Sequence, residues 1–237
     1  MLCLIFCIMI HSSLDSLLIK SIKRIEYGYK NMNLDTLEKA YKDLKYVSET
    51  RGKALDFYFT SLCLYRLYTL GFKKYLKEEY IDSAIYYLEK SVKIEKDFSD
   101  AYALLGSLYG MKAKGLFKGM VYGPKSEKNF KRAKEIDSLN PRVYYLEGIS
   151  FLYKPKEFGG SVQKAIKNFK RAINIFEKGK GERGIINWGH LECMMFLGIS
   201  YEKVDSLDKA ENIYKKVLEI DPDYGWAKYR LYQIKNR

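Results

Sequence analysis

Apolar residues recur at three- and four-residue intervals along the chain: Ala40, Leu44 and Val47; Ala84 and Leu88; Ala165, Phe169 and Ala172; Ala210, Tyr214 and Val217. That interval is the period of one helix face, so each group predicts an amphipathic helix with the intervening lysines and glutamates in water. Only 4 prolines interrupt 237 residues, which leaves room for long helical segments. The start breaks the pattern. Leu2 to Ile10 is an unbroken apolar run followed by His-Ser-Ser. It is too short to cross a bilayer as a helix, which takes about 20 residues. It does fit the hydrophobic region of a signal peptide with cleavage near Ser12 or Ser13, although the only positive charge ahead of it is the amino terminus. The end of a buried helix is the other reading. Residues 1–13 are expected to be the leader and 14–237 the folded domain. Its location is then extracytoplasmic, periplasmic or secreted, if the leader acts, and cytoplasmic otherwise.

The C-terminal stretch carries a specific spacing. Met194, Leu197, Gly198 and Tyr201 are followed by Ala210, Tyr214, Val217 and a closing Pro222. In spacing this resembles the tetratricopeptide repeat, a helix-turn-helix unit of about 34 residues, with Met where the family prefers Trp. Gly198 is expected to let the second helix approach the first, with Ala210 facing that contact and Leu197, Tyr201 and Tyr214 around it. Degraded copies pair Gly28 with Ala40, Gly71 with Ala84, Gly106 with Phe130 and Ala133, and Gly148 with Ala165 and Phe169. The expected fold is all-α, an α-solenoid of about five such units at 16–49, 53–96, 99–139, 142–178 and 188–222. A cap at 224–237 would cover the last repeat with Trp226, Tyr229 and Leu231, since a stacked array needs a closed end. The repeat glycines lie 35 to 50 residues apart, more than the family period. The excess falls at 112–125, 154–160 and 179–189, where inserts are expected as loops on the solenoid edge.

The resemblance implies a binding groove lined by the first helix of each unit. Carried over by register, its walls are Tyr68, Phe72, Tyr75 and Leu76; Ala103, Ser107, Gly110 and Met111; Tyr145, Ile149, Leu152 and Tyr153; Met195, Ile199, Glu202 and Lys203. The strongest candidates are Tyr68, Phe72, Tyr75, Met111, Tyr145, Ile149, Tyr153, Met195 and Ile199. This surface is apolar and aromatic, unlike one that clamps a peptide carboxylate with Lys, Arg and Asn. Two explanations stand: these residues pack on one another in a tight superhelix, or they form an exposed site for a partner helix or hydrophobic ligand. With a leader, the second is similar to exported bacterial tetratricopeptide proteins, including the subunit associated with some TRAP-type transporters.

Charge adds less. Lys and Arg at 42 against Asp and Glu at 29 give a net +13, spread singly along helices as solvated faces, so no nucleic-acid partner is expected. Cys63 and Cys193 sit in helical patterns without a CxxC and read as core residues. His190 and Cys193 are one turn apart, a spacing that a nucleophile pair could use. No HExxH, GxSxG or Walker sequence occurs, and the Phe-Gly-Gly at 158–160 is not followed by Lys-Ser/Thr, so it reads as a corner. The expectation is therefore a scaffold without catalysis, cofactor or metal. It would bind a protein or peptide and touch membrane only through the leader. The alternative is a transporter-associated component that binds a hydrophobic small ligand or a solute-binding protein.

Overall fold

A computed structural model describes residues 2–70, 78–181 and 184–236, with side chains from Ser13 onward. Among the described residues the chain is all helix, without a β-strand. A first unit, up to Ala101, holds α1 (Leu2–Lys30), α2 (Leu34–Arg51), α3 (Ala54–Leu70) and α4 (Glu78–Ile94). A second unit, from Tyr102, takes most of α5 (Ser99–Lys112) and holds α6 (Gly115–Ile136), α7 (Pro141–Tyr153), α8 (Val162–Ile175), α9 (His190–Glu202), α10 (Leu207–Ile220) and α11 (Gly225–Lys235). No described helix is long and apolar enough to cross a membrane.

In the first unit, the Asn33 side chain accepts the Thr36 N–H at 3.0 Å to start α2, and Gly52 ends it in the left-handed conformation. The α2 stripe Leu37, Ala40, Leu44 and Val47 is fully buried, as its period predicts. Small polar side chains on one helix donate to carbonyls of the next. Ser61 bonds Ala84 at 2.9 Å, Ser91 bonds Ala54 at 2.8 Å, and the Cys63 thiol bonds Leu37 at 3.3 Å. Arg51 is ion-paired with buried Asp56 and with Asp15, and those contacts, Asp56 first, hold its guanidinium above its ordinary pKa against burial.

In the second unit one device recurs. A glycine of the first helix takes the aromatic ring of the second: Phe130 against Gly106, Phe169 against Gly148, Tyr214 against Gly198. A Cβ at Gly198 would stand 2.3 Å from Tyr214 Cε1 and one at Gly148 2.6 Å from Phe169 Cε1. The nearest atoms to Gly198 are those of the Tyr214 ring, expected around that contact, and Ala210 is fully buried. The ring brings more apolar surface to the seam than a methyl group would. At the C-terminal end Met195, Tyr214 and Val217 form a core closed by Tyr224 and Ala227, with Trp226, Leu231 and Ile234 packed on it. Tyr229, expected in that cover, is exposed, because its position on α11 points away from α10.

The three inserts differ in kind. Residues 154–160 form a corner: Lys156–Phe158 make a single 3-10 turn, and Ser161 caps α8 by accepting the Lys164 N–H at 3.2 Å. Gly159 has φ 89, whereas Gly160 is required for a different reason, since its Cβ would fall 1.7 Å from the Lys154 carbonyl oxygen. The 112–125 insert is helical rather than a loop: α6 runs from Gly115 through Pro124 to Ile136. The added residues lengthen the second helix of the hairpin.

Candidate functional site

The predicted groove residues do not share one environment. Tyr68, Tyr145, Ile149 and Met195 are buried, as are Ala103, Ser107 and Leu152. Met111 and Ile199 are half-buried, and Tyr153 is 59% exposed. Phe72, Tyr75 and Leu76 lie outside the described residues. Tyr145 is held among Phe169, Trp188 and Phe196, with ring centroids 6.0 to 6.4 Å apart, so its role is to join hairpins.

What reaches the surface is an aromatic row across the second unit. Tyr153 of α7 stands edge-on to Phe196 of α9 at 6.4 Å, and Phe196 stands edge-on to Trp226 of α11 at 5.4 Å. Ile199 follows Phe196 by one turn on α9, and the Lys203 ammonium lies 5.8 Å from the Tyr153 ring centroid. Glu202 is not a groove residue. Its carboxylate accepts the Tyr214 hydroxyl at 2.5 Å and Arg230 Nε at 3.0 Å, tying α9, α10 and α11 together. Burial and then Glu202 push the Tyr214 hydroxyl pKa up, while Tyr214 and Glu202 together hold Arg230 above its ordinary value against burial. The row therefore rests on a rigid frame.

Sequence reasoning missed Arg142. It is fully buried at the start of α7, and its guanidinium donates to three backbone carbonyls of the 179–189 insert: Gly181 at 2.6 Å, Ile186 at 2.9 Å and Trp188 at 3.0 Å. The fork of Arg N–H donors suits this, since one planar group serves several oxygens at fixed angles. Trp188 packs on Tyr145, and Gly189, at φ 100, opens α9 with its N–H on Glu192 Oε2 at 3.1 Å. The described residues of the insert thus act as a strap whose inner edge positions the start of α9.

His190 stacks on Phe176 at 5.1 Å, whereas the Cys193 thiol donates to the Phe169 carbonyl at 3.6 Å. Burial keeps Cys193 a thiol, with Glu192 adding to the shift, so the two do not make a nucleophile pair. Among the described residues no group of three or more His, Cys, Asp and Glu is placed to hold a metal. Burial also lowers the His190 pKa, outweighing the opposite pull of Glu177 and Glu192. A folded pKa below the unfolded one means that the unfolded state takes up the proton first as pH falls. The stability His190 supports is therefore complete above about pH 6.5 and is lost as pH falls from there through the lower folded pKa. Urea unfolding at pH 7.5 and 5.0 checks this: the drop is expected to shrink in His190→Phe, which keeps the ring contact and cannot titrate.

Residues 191–224 match the family model for the tetratricopeptide repeat. This segment is a tetratricopeptide repeat. The fold of the chain agrees: a thermophilic TPR protein of Thermus thermophilus superposes with a TM-score of 0.66 over 92% of this chain and 100% of that one, at 15% identity. The HusA haemophore of Porphyromonas gingivalis superposes with a TM-score of 0.61 over 80% of this chain and 93% of that one, at 17% identity. Comparison with curated proteins found no match. The chain is an α-solenoid of tetratricopeptide type. That fold is one of interaction scaffolds, generally without catalysis, which bind protein or peptide partners.

Two clefts open between helices of the second unit. One, of about 600 Å³, lies between α5 and α6, where Tyr102 and Tyr109 face Lys125, Lys128 and Arg132. Lys125 stands 5.4 Å from the Tyr109 ring centroid, and Arg132 stands 5.9 Å from that of Tyr102. The other, of about 390 Å³, lies between α6 and α7, with Lys134 paired to Glu147 at 2.6 Å in its wall.

Proposed function

We propose that this protein is a non-catalytic scaffold that holds a segment of a partner protein on the aromatic row of Tyr153, Phe196 and Trp226. The observation that carries the reading is the row itself. Three rings on the first helices of successive hairpins and on the cap touch in sequence, and the outermost, Tyr153, is mostly in water beside Lys203. Large rigid rings with an exposed end are efficient anchors, because they cover much area at little entropic cost. The charged walls of both clefts suit a polypeptide segment better than an apolar small molecule. Export through the leader belongs to the same proposal, and amino-terminal sequencing of the protein from envelope fractions would show Ser12 or Ser13 near the new terminus.

Peptides selected from a random displayed library on the purified protein are expected to weaken about tenfold or more on Tyr153→Ala, the loss of one aromatic anchor. They should be unaffected by Tyr46→Ala, an exposed tyrosine of the first unit. Equal binding to both variants would remove the row from the site.

A further inference from the structure

We propose that the first half of α6 is an amphipathic surface helix that docks on an anionic lipid bilayer. Leu116, Phe117, Met120 and Val121 are 59%, 84%, 68% and 55% exposed, four large apolar side chains in less than two turns. At 100° per residue they share an arc of roughly 140°. Lys114, Lys118 and Lys125 lie together along one edge of that arc and are exposed, with Lys128 on the next turn. From Ala101 to Ser126 the sequence contains no Asp or Glu and four lysines, in a chain of net charge +13.

The glycine stripe that borders the arc beyond Leu116 is loosely surrounded. A Cβ at Gly115 or Gly123 would meet nothing within 4 Å, and one at Gly119 would meet only the Ala113 carbonyl at 3.9 Å. The segment therefore leaves its apolar face uncovered by the rest of its unit. Burial of that face against the rest of its unit does not account for the composition. Neither cleft described above includes these four side chains. A protein partner needs a matching surface for a projecting face. A bilayer takes up isolated apolar side chains to a shallow depth without shape matching, while lysines at the edge of the arc reach anionic headgroups. Uninterrupted positive charge beside exposed Leu, Phe, Met and Val thus selects an anionic lipid surface. Tyr122, on the opposite side of the helix, stacks 6.1 Å from Tyr109 of α5 beside Lys112 and Lys125, and so holds the segment to its unit with the apolar arc outward.

The test is cosedimentation of the full chain with vesicles of phosphatidylcholine alone and of phosphatidylcholine with an equal part of phosphatidylglycerol. Partitioning to the anionic vesicles is expected to be at least about tenfold stronger and to weaken with salt. The pair Phe117→Glu and Met120→Glu should reduce it about tenfold or more, and each of Lys114→Gln and Lys118→Gln about fivefold. All four positions are exposed, so circular dichroism and thermal melting should match the unsubstituted protein. The proposal is overturned if the protein does not bind anionic vesicles, if it binds neutral ones equally, or if the Phe117 and Met120 pair leaves binding unchanged. Self-association in sedimentation velocity that Phe117→Glu abolishes, without vesicle binding, would assign the face to a second copy. Binding of polyglutamate that the lysine variants abolish, again without vesicle binding, would assign it to an acidic protein. Either result would also overturn the proposal.

Discussion

Arg142→Met is expected to destabilise the second unit by about 3–5 kcal/mol, the cost of breaking a buried charge-assisted network. The substitution keeps most of the side-chain volume and removes the donors. The carbonyls of Gly181, Ile186 and Trp188 then lose this partner together. Because the strap positions Trp188 and Gly189 at the start of α9, the damage should extend to the aromatic row. Two measurements separate local from global loss. Urea unfolding reads the stability change, and limited proteolysis reads cleavage between residues 179 and 189, which should appear in the variant before the rest of the unit is cut. Arg142→Lys is expected to rescue only part of the loss, since one ammonium cannot reproduce the planar fork that serves three oxygens. A loss below about 1 kcal/mol for Arg142→Met would show that the strap holds without the guanidinium.

Gly160→Ala is expected to cost about 2 kcal/mol or more, because backbone must move to admit the methyl group. The Lys154 oxygen stands 1.7 Å from where the new Cβ would sit, and that oxygen belongs to the cap of α7. Gly159→Ala is the internal comparison. Its φ of 89 disfavours a side chain, but nothing lies within 4 Å of its Cβ, so about 1 kcal/mol is expected. Gly159→Asn should cost less again, since Asn tolerates positive φ better than other residues. The three denaturation midpoints should therefore fall in the order Gly159→Asn, Gly159→Ala, Gly160→Ala. The reverse order would mean that the corner is held by torsional preference rather than by close approach.

The stretch from Phe158 to Ser161 shows where pattern reading stops. A double glycine before a capping serine announces a turn, and Ser161 caps α8 as its residue type suggests. The different duties of the two glycines were not legible, because one depends on φ and the other on an oxygen six residues earlier. The same limit explains Tyr145 and Met195. Register along a repeat placed them on the first-helix wall, but burial depends on neighbouring hairpins, which close over both. Tyr153 and Ile199 lie farther along their helices and keep part of their surface in water.

By itself, the sequence determined the helical class, the repeat signature at the C-terminal end, and the buried faces of α2, α8 and α10. Each of these is written in spacings of three and four, which is the scale on which a helix repeats. A signal for Arg142 was present in its setting, one cation entering the apolar run Val143 to Leu146, but its partners lie some forty residues away. Tertiary structure alone decided that the cation is a buried anchor, that the insert at 112–125 is mostly helical with an exposed apolar face, and that Tyr153, Phe196 and Trp226 form one row. These outcomes depend on which distant atoms meet, and local periodicity carries no record of that.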